Sequence, residues 1–134
     1  MSMGFEDIRL AVESRLASWP DAPVSFDNVQ TQPSVQAAID AKAPWVRLTI
    51  VPGDTLTAAI GDGPNARHTG LLVLQIFTAE RVSSAKAMQL ADSLAQHVQY
   101  WQDGKFETQA ASLARVGQQN GWYQVNVSAP FRAD

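Results

Sequence analysis

The sequence has 134 residues, 46% of them apolar and 17% charged, a size and balance that suit one folded domain spanning residues 1–134 and exclude a disordered chain. Ten basic against thirteen acidic side chains give a net charge of −3, so no bulk field draws the chain to a polyanion, although a passage lined with neutral or acidic groups lets DNA slide through. The absence of cysteine excludes disulfides, thiolate metal sites and a cysteine nucleophile, and the longest aliphatic run, Leu71 to Leu74, is too short to span a bilayer.

Met1-Ser2-Met3-Gly4 carries no basic stretch followed by an apolar one, so a soluble protein of the cell interior is expected. Phe5, Ile8, Val12, Leu16 and Trp19 then recur at three- and four-residue steps, which predicts an amphipathic helix over residues 4–18 that Pro20 stops. Val24 and Phe26 alternate with Ser25 and Asp27 as a short edge strand. Pro33 can open a helix whose apolar face is Val35, Ala38 and Ile39, ended by Pro44.

From Trp45 to Val51 the alternation is clear, with Val46, Leu48 and Ile50 on one face, and Pro52-Gly53 is expected to close the strand as a turn. Residues 55–60 read as a second strand, followed by a flexible link at Gly61-Asp62-Gly63-Pro64-Asn65. Leu71 to Phe77 is apolar on both faces, as a central strand covered on each side would be. Ala85, Met88, Ala91, Leu94, Ala95, Val98 and Trp101 predict a helix over residues 82–101, capped by Ser83 or Ser84 and ended near Gly104. Ser112–Val116 and Trp122–Phe131 flank Gly117 to Gly121 as a closing hairpin. These elements sum to an α/β (α+β) domain with a mixed, mainly antiparallel sheet packed by two long helices.

A search for chemistry finds little. His68 and His97 have no histidine at the four-residue spacing of a helical metal pair, so no metal or cofactor is expected. Asp92, Ser93 and His97 lie on one helical stretch but cannot share a face, which rules out a local triad. Gly61-Asp62-Gly63 lacks the lysine and the strand-to-helix context of a phosphate loop. Asp21, Asp27, Asp40, Asp54 and Asp62 fall in or beside predicted loops, where solvated charge belongs. Arg67, His68, Thr69 and Gly70 form a basic cluster before the most apolar strand, suited either to guarding an edge or to gripping an acidic neighbour.

The run Phe26-Asp27-Asn28, then Pro44 to Leu48, Pro52-Gly53 and Arg67 to Phe77, followed by Ala87 to Leu94 and Trp122 to Val127, resembles the tail terminator family of long-tailed phages in order and in length. The stretch from Gln30 to Ala43 departs most from it. The resemblance implies a structural, non-enzymatic protein in the virion tail, at its neck end, assembled in the host cytoplasm. It implies a homo-oligomer, a hexameric ring that caps the tail tube, stops its polymerisation and offers a joining surface to the head-side connector, while DNA passes through the lumen without specific binding and no membrane is involved. The residues it would set at subunit or tube contacts are Arg47, Asp54, Asp62, Arg67, His68, Thr69 and Arg81. Two other readings remain open at this point: another neck or tail-completion protein, and a small-ligand or enzymatic α/β module, since fold does not fix function.

Overall fold

A computed structural model describes residues 3–61 and 63–134. Its elements are α1 (Phe5–Ala17), β1 (Val24–Ser25), α2 (Pro33–Asp40), β2 (Trp45–Ala59), β3 (Asn65–Ala79), α3 (Ala85–Val98), β4 (Gln102–Asp103), β5 (Phe106–Thr108), β6 (Ser112–Gln119) and β7 (Trp122–Ala133). The strands form one sheet in the order β1-β2-β3-β7-β5-β4, with β6 also paired to β7. Among the described residues only β1 with β2 is parallel; all other pairings are antiparallel.

The period-2 patterning of three long strands sends Val46 and Leu48 of β2, Leu72, Leu74 and Ile76 of β3, and Val125, Val127, Ala129 and Phe131 of β7 to one face. Ile8, Val12 and Leu16 of α1 and Leu90, Ala91, Leu94 and Val98 of α3 cover that face and complete the main core. Each such aliphatic side chain taken fully out of water contributes about 1.5–3 kcal/mol. The two helices are also tied to each other: Trp19 Nε1 donates to Ser93 Oγ at 2.9 Å and Arg15 Nε donates to the His97 carbonyl at 3.0 Å. At the start of α1 the Gly4 amide donates to Asp7 Oδ2 at 2.8 Å, which satisfies a donor near the helix end.

The expected mainly antiparallel sheet is present, but the helical layer differs from a pair of long helices. Among the described residues there are three helices, of 13, 8 and 14 residues, and the short α2 packs on the opposite face of the sheet. There Val35 and Ala38 meet Trp45, which stacks on Phe77 at 4.4 Å and meets Trp122 edge-on at 6.3 Å. This aromatic corner is a second, smaller core. Away from it the opposite face is not covered as the sequence of β3 suggested: Leu71 is exposed and Val73 half-buried, while Leu72 and Leu74 are fully buried.

Four further expectations are corrected. Pro52-Gly53 does not turn the chain: β2 continues to Ala59, with a register shift between Pro52 and Thr55. Proline is tolerated here on an edge strand: β1 pairs only with Val46 and Arg47, so the outer edge of β2 is unpaired at Pro52. The link expected at residues 61–65 is correspondingly shorter, since Asn65 already belongs to β3. The helix expected over 82–101 spans only Ala85–Val98, and the segment after it forms the small hairpin β4–β5 around Gly104. Finally, the closing hairpin turns on Asn120-Gly121 alone, both at positive φ, as a two-residue turn between twisted strands requires, while Gly117 lies at a bulge in β6.

Candidate functional site

The most distinctive surface of the chain is the end of the β2–β3 hairpin. The sheet partner of β3 on its far side, β7, pairs from His68 onward, so residues 55–59 pair only with 65–68, as a two-stranded ribbon that extends past the sheet. Every residue from Val51 to Gly61 is exposed. We call this ribbon the arm. Where a turn at Pro52-Gly53, a second strand over 55–60 and a link over 61–65 were expected, a paired arm with two register shifts is found. Its tip carries apolar side chains in water, Leu56 at 55% exposure and Ile60 at 97%.

The base of the arm is cross-braced. Thr69 Oγ1 donates to the Asp54 carbonyl at 2.7 Å, and Thr55 Oγ1 and His68 Nδ1 share a hydrogen bond at 2.9 Å. The His68 ring lies 4.5 Å from that of Phe5 at the start of α1. On the other face Arg67 donates two hydrogen bonds to the Asp134 carboxylate, at 2.5 and 3.2 Å, and Arg132 pairs with Glu107 beside them. The Arg67 hydrogen bonds hold the Asp134 carboxyl below its ordinary range, and the same carboxylate raises Arg67. Arg67 is thus committed to an ion pair and is not a freely solvated edge charge.

Between α1, the β1–α2 connection and the arm base lies a groove of about 450 Å³. Ile8, Leu48, Ile50 and Phe131 form its apolar lining, while Phe5 and Val29 stand exposed beside it. Gly70 shapes it from below, because a Cβ there would sit 2.7 Å from the Phe131 ring and 2.5 Å from the Val51 carbonyl. Its charged members include Arg9, Glu13 and Asp27, and Arg9 is held by Glu6 at 2.6 Å and Glu13 at 3.1 Å. Arg9 lowers Glu6 and is itself raised, chiefly through their hydrogen bond.

Of the residues singled out in the sequence, the fold brings Asp54, Arg67, His68 and Thr69 together at the arm base. Arg47 is separate: it lies on the α2 side of the sheet, 5.3 Å over both Trp45 and Phe77, with a 3.4 Å hydrogen bond to Gln75. Arg81, 84% exposed and at φ 65°, lies at the end of β3 away from the arm, beside a shallow depression with Ser83, Ser84, Gln118 and Tyr123. Asp62 lies outside the described residues. The groove itself was missed, because Phe5, Val29, Ile50 and Phe131 come from four separate segments. Two signals pointed toward the area: an aromatic at the first turn of α1, and aliphatic Leu56 and Ile60 in a stretch otherwise built of small and polar residues.

Ser93 donates to Asp21 and accepts from Trp19, whereas His97 Nε2 lies 2.7 Å from the Arg15 carbonyl and 3.3 Å from Ser18 Oγ, so Ser93 and His97 do not meet as nucleophile and base. Among the described residues no group of three or more His, Asp or Glu is placed to hold a metal ion.

Comparison with known proteins decides the family. The model described as phage tail terminator protein matches residues 7–131, nearly the whole chain. The chain belongs to the phage tail terminator family. Tail terminators are structural proteins, which gives the chain a structural role in completing the phage tail, a place in the virion tail and work among other tail and head proteins. No curated protein matches it. A solved structure shares this fold at TM-score 0.71 and 22% identity, over 98% of this chain and 96% of that one. No described helix is long and apolar enough to cross a membrane.

Proposed function

We propose that this terminator acts as a ring, six copies as the family resemblance implies, seated on the last ring of the tail tube. There it blocks further addition of tube subunits and turns its other surface to the head-side connector. The observation that carries this reading is the arm: a ribbon with exposed aliphatic side chains at its tip is an aggregation hazard in a lone subunit and an asset in one built to be covered by a neighbour. Asp54, Asp62, Arg67, His68 and Thr69 would act at or near the contact the arm makes, and Arg47 and Arg81 at surfaces facing the tube or the connector. The net charge of −3 suits a lumen through which DNA slides without being gripped.

The test is tube growth. Purified protein added to polymerising tube subunits of the same virus is expected to fix tube length within the first minutes, with ring-shaped density at one end by electron microscopy. Tubes that lengthen at the same rate with and without it would overturn the reading.

A further inference from the structure

The groove and the arm tip are complementary features placed at different points of one chain. The groove is apolar and about 450 Å³ in volume. The tip offers Leu56 and Ile60, with only Thr57, Ala58 and Ala59 between them, so it is slim and carries no charge from Thr55 to Ile60. A subunit cannot fill its own groove. Thr55 lines the groove, and from there to Ile60 the chain runs outward for five residues, about 16 Å at the rise of a strand, held on that course by pairing with Asn65 to His68.

We propose that the arm tip of one subunit, led by Ile60, seats in the groove of the next copy, between its α1 and its arm base. Charge suits this occupant: Arg9 is already paired with Glu6 and Glu13, so the uncharged stretch from Leu56 to Ile60 enters without stranding that guanidinium, and exposed Asp27 stays at the rim in water. The contact is heterologous, tip to groove, and its repetition around an axis closes a ring. The inference rests on the ring reading above and adds which two surfaces meet.

Because the chain has no cysteine, the contact is testable by cross-linking. Ile60→Cys and Val29→Cys, purified singly, mixed and treated with a short bifunctional thiol reagent, are expected to give a cross-linked dimer. Ile60→Cys mixed with Leu113→Cys, exposed on β6, is expected to give none. Ile60→Asp should melt at the same temperature as the parent, since the side chain is 97% exposed, yet weaken self-association at least tenfold; Ile60→Leu should keep it. A closed oligomer by light scattering in which the Ile60–Val29 pair fails to cross-link, or which Ile60→Asp leaves intact, overturns the tip-in-groove contact and spares the ring. Recovery of the protein with a lipid or metabolite that stays in the groove of assembled rings also overturns it. A chain that stays monomeric both in concentrated solution and on tube ends overturns both readings.

Discussion

At the scale of single residues, Gly70 couples the core to the groove. The absence of a Cβ is what matters there, because the Phe131 ring and the Val51 carbonyl occupy that space. Backbone cannot swing aside as a flexible side chain can, so Gly70→Ala is expected to destabilise the subunit by about 1–3 kcal/mol, read as a lowered urea midpoint with an unchanged slope. An unchanged midpoint would mean that Phe131 is free to move. Asp134 gives a pH prediction. Its folded pKa is lowered below the ordinary 3.8, first by the hydrogen bonds from Arg67, so its contribution is fully present above about pH 4 and is lost as pH falls through the folded value. In Arg67→Ala the carboxyl should titrate higher by NMR, because the hydrogen bonds that lower it most are gone. No movement would show that the ion pair is absent in solution. Such pairs join Arg67 to a residue 67 positions away, which is why the sequence offered Arg67 as a surface charge and gave no sign of its partner.

At the scale of elements, legibility followed the strength of the repeating pattern. The apolar stripe of α1, the alternation of Trp45 to Val51 and the Val35/Ala38 face of α2 each predicted the element found, because burial on one face imposes the period. Pro52 misled, since its effect depends on whether the strand's outer edge is paired, a property of the sheet and not of the residue. The β4–β5 hairpin was invisible because Phe106 is its single large apolar side chain, too few for any period to register. The arm falls between these cases: its strands were half-read, while its extension past the sheet depends on where β1 and β7 stop pairing. That placement predicts its dynamics. A two-stranded ribbon without a third strand is marginally stable, so amides of residues 55–59 and 65–67 should exchange far faster in free subunits than those of 71–77, which are paired on both sides. In assembled rings the difference should shrink. Equal protection of arm and sheet in the free subunit would show that the ribbon is held by something other than its neighbour.

At the scale of the whole molecule, the terminator fold presents one tip and one groove per copy, and counting contacts predicts how the population behaves. An open chain of n copies has n−1 tip-to-groove contacts, whereas a closed ring has n. The closing contact forms within one particle, so it adds its binding energy without a further loss of translational freedom, and its effective concentration far exceeds that of free subunits. Each single contact is small, built mainly on Ile60 and Leu56, so short open chains should fall apart faster than they grow. Sedimentation across a concentration series is therefore expected to show monomers and one closed species with little between them, in proportions that shift with total protein. A continuous ladder of dimers, trimers and longer chains would mean that the rotation between copies does not close, and such a contact builds a filament where a cap is required.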